Sequence, residues 1–331
     1  MEVLERLLNI TLVIATIRTT APILLVALGG SFTTKAGIFN IGLEGQMLVG
    51  AFFAVIGTIA TGSPWIGVLC GVAAALTLAL IFALLVVTFK ANEVVVGLAL
   101  NILAGGMTVS LMKAIFGTRG SIFGHGLVGL PPLKLPNVKD LGWFGQMISG
   151  YTPLVYLAFA LVPLLILFYN RARLGLYIRV VGEKPEAAEA LGISITRIRY
   201  TASLLCGLLA GLAGAHLSLG YTTMFTENMS SGRGFMAVAI LIFSNGDPLK
   251  ILLGCLLFGF SDALSLRLQT LGISSYLVLA VPYLVALIVL FALSYRSRPR
   301  VIQETLVSMG RALSVKSNTI KPRTATDASK P

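Results

Sequence analysis

The sequence predicts an all-α integral membrane protein, a polytopic bundle of roughly 8–10 transmembrane helices with some of them broken or half-length. Three observations carry this. First, 56% of the 331 residues are hydrophobic, only 11% are charged, and the mean hydropathy is +0.91. A soluble domain carries about 25% charged residues because its surface faces water. Less than half that fraction cannot cover a water-facing exterior, so most of this one faces lipid. Second, apolar runs recur along the chain at the length of membrane spans, about 20 residues each. Third, the basic residues gather beside those runs, which is the charge asymmetry of a cytoplasmic face.

The runs fall at about 7–30, 37–60, 65–88, 93–116, 152–169, 200–220, 234–246, 251–270 and 275–294. The segment 170–199 holds six Lys and Arg residues and is expected on the cytoplasmic side, as is the basic stretch from Arg296 to Lys330. The loop 117–150 then falls outside. Trp65, Trp143, Tyr151, Tyr221 and Tyr276 are expected in the outer aromatic belt, and Tyr169, Tyr200 and Tyr295 in the inner one. Residues 1–298 read as one transmembrane domain and 299–331 as a basic cytoplasmic tail, its end Ser-, Thr-, Lys- and Pro-rich and read as disordered. Met1 to Ile10 carries Glu2 and Glu5 beside Arg6 and lacks the basic region and cleavage site of a secretory signal, so no cleavage is expected.

Two runs depart from a plain lipid-facing helix. The run at 37–60 opens with Gly37, Gly42 and Gly45 interleaved with Asn40, Glu44 and Gln46. Non-helical backbone is tolerated at membrane depth only where it is buried in protein or lines a cavity, and such breaks mark transport paths. A half-crossing here would put the N-terminus inside, whereas nine full crossings put it outside. The run at 234–246 is short, about 20 Å if fully helical. Ser63-Pro64 followed by Gly71, and Asp247-Pro248 followed by Gly254, form a faint internal echo of a two-half design.

The formal charge of +12 does not point to nucleic acid, because it is explained by topology. Cys70, Cys206 and Cys255 lie in apolar runs with no CxxC spacing and read as small core residues. There is no GxxxxGK[ST] loop, so ATP hydrolysis is not expected in this chain. HExxH and GxSxG are missing too, and of the two histidines, His125 lies in the outer loop while His216 is expected to satisfy a neighbouring carbonyl. A membrane enzyme is therefore disfavoured, and no cofactor or metal is expected.

The polar residues inside the apolar runs are the site candidates. An ionised group at the centre of a span costs roughly 2.5 kcal/mol or more, so Glu44 is neutralised, paired or hydrated. It either lines a path or braces helices, against Lys35 or Arg18. Asn40, Gln46 and Asn101 are further path candidates, Glu227 and Arg233 border the outer mouth, and Asp262 reads as a helix-packing hydrogen-bonder. In the cytoplasmic loop, Pro185 suits a first helical turn and Gly192 a C-terminal stop, with Glu186 and Glu189 favouring the positive end of the dipole. Ala187, Ala188, Ala190 and Leu191 make a smooth face that another protein can approach closely, or the segment is a solvated connector.

Those loop residues carry a resemblance. Gly182, Glu183, Pro185, Ala187, Ala188, Gly192 and Ile193 resemble the Gly-Glu-Asn-Pro-x-Ala-Ala-x-x-x-Gly-Ile coupling segment of ABC-importer permeases of the branched-chain amino acid, simple sugar and nucleoside family, with Lys184 in place of the usual Asn. Ala36 to Met47 is similar to the Gly-x-x-Asn-x-Gly-x-Glu-Gly-x-Met signature of the nucleoside and simple-sugar branch. Ser231 to Ala239, Asn245 to Pro248 and Gly259 to Ala263 are similar to its second half. The resemblance covers about residues 20–295. It implies a type II-like permease in the cytoplasmic membrane that translocates a nucleoside, or alternatively a simple sugar. It further implies a separate ATPase subunit that binds ATP and Mg, a second permease subunit, and an extracytoplasmic solute-binding lipoprotein. The rival from another class is an ATP-independent secondary transporter or channel.

Overall fold

The computed structural model describes residues 10–118, 120–124, 126–133, 149–270 and 284–285. The run at 275–294, His125, most of the outer loop and the basic tail lie outside the described residues. The described chain is helical apart from one two-residue strand pair. The first span, α1 (Ile10–Lys35), is followed by a non-helical stretch, 36–42, and then α2 (Leu43–Thr61). Next come α3 (Pro64–Ala83), continued by a π-helical turn through Thr88, and α4 (Glu93–Phe116). Strand β1 (Ser121–Ile122) leads toward α5 (Pro153–Arg171), α6 (Arg173–Glu183) and α7 (Pro185–Ala190). Span α8 (Ile195–Ala215) ends in a π segment through Tyr221, strand β2 (Phe225–Thr226) pairs antiparallel with β1, and α9 (Arg233–Ser244) and α10 (Pro248–Thr270) follow. Seven of these helices are long and apolar enough to cross a membrane, and α9 is the short one. The protein is a multi-pass all-α membrane protein.

Small residues organise the centre. In lipid, helices associate by close packing rather than by a hydrophobic difference, so Gly and Ala concentrate at their contacts. Gly50 of α2, Gly71 of α3 and Gly211 of α8 meet backbone to backbone, and Gly214 of α8 lies on the Met47 carbonyl. As a result α2 and α8 are 78% buried over their most apolar windows, against 28% for α4 and 33% for α5, whose exposed Leu and Ile side chains face outward. Helix α1 is central as well: Ile23 to Leu28 are fully buried, and the Thr19 hydroxyl donates to the Gly259 carbonyl of α10 at 2.8 Å.

Contacts fix the two ends of the bundle. Lys35 and Gly37 pack on the backbone of Gly182, Gly246 packs on Lys35, and the Thr88 and Tyr200 hydroxyls lie 2.5 Å apart. All are at the end that carries the basic 170–199 segment, which the positive-inside rule makes cytoplasmic. The other end holds the strand pair and the Arg18–Tyr151 contact. Helix α1 therefore begins at the outer end. The half-crossing is not at 30–50, where α2 is a complete helix after its break. The crossing that is only half helical lies at 227–244, where the chain enters from β2 without helix and α9 continues inward to the cytoplasmic end. The echoing Ser63-Pro64 and Asp247-Pro248 both start helices at a proline, at opposite ends of the bundle, as in an inverted repeat.

Several expectations need correcting. Tyr169 and Tyr151 are not belt residues: each is 4% exposed, and Tyr169 shares a 2.9 Å hydrogen bond with Ser31 in the core. The 170–199 segment is not one connector with one helix. Its first half is α6, whose Gly175, Ile178 and Val181 face inward at a spacing of three. In α7, Pro185 takes the first turn and Gly192 the left-handed stop (φ 73°), as expected, while Lys184 supplies no side-chain cap. Ala188 is fully buried, so it is not part of the smooth outer face, whereas Ala187, Ala190 and Leu191 are exposed.

Candidate functional site

The non-helical segment before α9 is built from conformations that L-residues rarely adopt. Asn228 (φ 53°), Ser231 (φ 47°) and Gly232 (φ 80°) are all left-handed. For a non-glycine residue this costs of order 1 kcal/mol or more and persists only where surroundings over-determine it, as at functional sites. What determines it here is Glu44. Its Oε1 accepts the Gly232 N–H at 2.8 Å and its Oε2 accepts the Gly234 N–H at 2.6 Å. The carboxylate thus takes two of the free donors of the α9 N-terminus and lies at the positive end of its dipole. Gly234 permits the approach: an added Cβ would stand 2.5 Å from the Glu44 Cα. Glu44 is 6% exposed, and neither Lys35 nor Arg18 is its partner.

The neighbouring charges are satisfied separately. Arg233 donates to Asp262 of α10 at 2.9 Å, so Asp262 does hydrogen-bond one helix to another, as expected, and does so as an ion pair. Asn101 of α4 holds the broken stretch before α2, accepting from the Gly45 N–H at 2.8 Å and donating to the Ile41 carbonyl at 3.0 Å. Asn101 is eight residues into α4 and Asp262 fourteen into α10, about 12 and 21 Å from the cytoplasmic end of each helix. The break is near the membrane midplane.

These groups border a cavity of ≈ 770 Å³. Glu44, Asn101 and Arg233 are brought together there, and Asp262, Ser265, Gln269, Asn228 and Ser231 join them. Leu48, Leu98, Ile102, Phe235 and Met236 supply apolar lining to the same cavity. The Ser265 hydroxyl and the Arg233 Nε have no hydrogen-bond partner among the described residues. Sequence reasoning missed the α10 contribution, although Asp262, Ser265 and Gln269 recur at i, i+3 and i+7, a polar stripe on an otherwise apolar helix.

Three candidates lie elsewhere. Asn40 closes its own turn by accepting from the Gly42 N–H at 2.9 Å and contacts the Cys206 sulfur at 3.4 Å. Gln46 is fully buried on the same α8 side, and its Nε2 has no hydrogen-bond partner among the described residues. Glu227 belongs to the outer strand pair and accepts from the Gly120 N–H at 2.9 Å. His216 meets the Thr152 hydroxyl at 3.3 Å through Nδ1 and not a carbonyl. Cys206 and Cys255 are buried and all three cysteines are free, in line with the core reading.

The seven Gly182–Ile193 motif residues fall where α6 hands over to α7, at the cytoplasmic end. Gly182 touches Lys35 and Gly37, at the start of the broken stretch leading to Glu44. Among the described residues no cluster of His, Cys, Asp and Glu is arranged to hold a metal ion.

Known proteins are similar to this chain in sequence. The family model described as branched-chain amino acid transport system / permease component matches residues 12–293. A guanosine ABC transporter permease protein of Bacillus subtilis, NupQ, is 34% identical over 83% of this chain and 89% of its own. A nucleoside ABC transporter permease protein of Lactococcus lactis, NupC, is 32% identical over 81% and 87%. A protein of Haloferax volcanii provisionally named a glucose ABC transporter permease is 37% identical over 78% of each chain. With a broken-helix site at the midplane and a family match spanning nearly all of the described bundle, the chain belongs to the branched-chain amino acid transport system permease family and is a permease subunit of an ABC importer in the cell membrane.

Proposed function

We propose that this permease translocates nucleosides. The observation that carries the reading is the cavity at the α9 break, lined by both apolar and uncharged polar side chains. Its apolar lining, with Phe235 43% exposed, suits the flat face of a base, and its Asn, Ser and Gln side chains suit ribose hydroxyls. The names of the Bacillus and Lactococcus relatives support it. A simple sugar is the second reading, favoured by the name of the Haloferax relative.

The chain acts as a non-catalytic translocation subunit. ATP and Mg are bound by a separate ATPase subunit, which docks on the Glu183–Ile193 segment through the exposed Ala187, Ala190 and Leu191. A second permease subunit, identical or homologous, closes the open side of the cavity beside α4, where Ile102 is 77% exposed. An extracytoplasmic solute-binding lipoprotein delivers the solute. Movement of α7 reaches the site through Gly182 and the 36–42 stretch, whose far end is Glu44, so access at the α9 break changes with the ATPase.

The test is uptake of labelled nucleoside into proteoliposomes holding the permease with its ATPase and binding protein. Expected is ATP-dependent uptake competed by unlabelled nucleosides. Competition by hexoses or pentoses and not by nucleosides overturns the nucleoside reading, and equal uptake without the ATPase overturns the assignment of ATP to a separate chain.

A further inference from the structure

A second polar cavity, of ≈ 220 Å³, lies at the outer end, lined by Arg18, Tyr151, Thr152, His216, Tyr221 and a few apolar and glycine positions. Three observations about it are independent of the transport site. The Tyr151 hydroxyl and the His216 Nε2 are buried and have no hydrogen-bond partner among the described residues, on side chains only 4% and 2% exposed. Orphaned buried polar atoms cost about 1–3 kcal/mol each, so something occupies their free valences. Arg18 is eight residues into α1, and no carboxylate pairs with it among the described residues; its guanidinium stands 5.7 Å from the Tyr151 ring centroid. A cation within an apolar span normally has a named counter-charge. Finally, no Asp or Glu lines the cavity among the described residues.

The donor inventory is one-sided. Arg18 has only donors. Burial pushes the Tyr151 phenol above its ordinary range, with the Arg18 charge offsetting part of the effect, so it keeps its proton and donates. His216 Nδ1 meets the Thr152 hydroxyl at 3.3 Å, and in the tautomer in which that hydroxyl donates, Nε2 carries the ring proton and donates into the cavity as well. Cationic Arg18 and the Tyr151 phenol, joined by His216 in that tautomer, present donors with no anionic side chain among the described lining residues, which calls for an acceptor that carries negative charge. From this juxtaposition we propose that the outer cavity binds a small inorganic anion, chloride in physiological media, held by Arg18, Tyr151 and His216. The bound anion ties α1, the π-helical end of α8 and the start of α5 to one another.

The test uses the purified full-length permease in nanodiscs. Its thermal midpoint is followed as sodium chloride replaces sodium gluconate at constant ionic strength, and bromide is substituted for anomalous scattering. Expected are a saturable chloride-specific rise and a bromide peak between Arg18 and His216. In Arg18→Gln the half-saturating chloride concentration rises about tenfold or more, the loss of one charge-assisted hydrogen bond. Tyr151→Phe, which removes one donor and little volume, keeps the test open if Arg18→Gln does not fold and shifts half-saturation in the same direction. Superimposable chloride and gluconate curves for the parent protein, or density at the site without bromide signal, mean that ordered water fills the cavity and overturn the proposal.

Discussion

Replacing Glu44 by Ala removes the carboxylate that holds the α9 N-terminus. The structure sets the size of the effect. Two charge-assisted hydrogen bonds, at 2.8 and 2.6 Å, are worth about 1.5–3 kcal/mol each, a figure that already contains the helix-dipole term. The cavity beside Gly232 admits water that re-solvates part of what is lost, so about 3–4 kcal/mol is expected rather than the upper sum. That is on the order of a hundredfold or more in the occupancy of the docked α9 conformation. Glu44→Gln keeps one carbonyl acceptor but turns an amide N–H₂ toward the second donor, so its cost is smaller, about 1–3 kcal/mol. Because α9 is a 12-residue half-helix at the site and not a pillar of the core, transport falls further than the thermal midpoint does. The assay pairs uptake of labelled nucleoside with thermal unfolding of the purified protein and hydrogen exchange of the 228–236 backbone. The expected order is parent, Gln, Ala in both uptake and exchange protection. Parental uptake and parental protection of Gly232 and Gly234 in Glu44→Ala would refute the capping argument.

Two further outcomes follow from the packing. Ala187→Trp adds bulk on the exposed face of α7, so the permease inserts and folds normally but loses solute-stimulated ATP hydrolysis or the ATPase itself on co-purification. Ala188→Arg, at a fully buried position, instead lowers the thermal midpoint of the isolated permease; the reverse pattern rejects the assignment of faces. Gly214→Val places a side chain against the Met47 carbonyl and within 2.6 Å of the Ala51 nitrogen, and overpacking of this kind costs about 1–3 kcal/mol. Thermal unfolding of that variant at the parental midpoint would contradict the backbone-level contact of α2 with α8.

The amino-acid sequence by itself determined the class of this protein, because that depends on quantities local to the chain. Charge content, the length of apolar runs and the basic clusters state how much surface meets lipid and which end faces the cytoplasm, and none requires knowing which residues touch. The stop at Gly192 and the start at Pro185 were likewise legible, since a left-handed φ and a missing N–H are properties of single residues. The short run at 234–246 announced a half-helix by length alone. What the tertiary structure decided is who satisfies whom. Glu44 could line a path or brace helices as far as sequence goes. Its actual partners are backbone N–H groups 188 and 190 positions away, and backbone donors leave no mark in side-chain identity. Asp262 read as a helix-packing hydrogen-bonder, and only the fold named Arg233 as its partner. Ala188 and Ala187 are adjacent and chemically identical, yet one faces the bundle and the other the solvent, because α7 is too short to show a periodicity and only its packing on α6 and α8 sets its rotation.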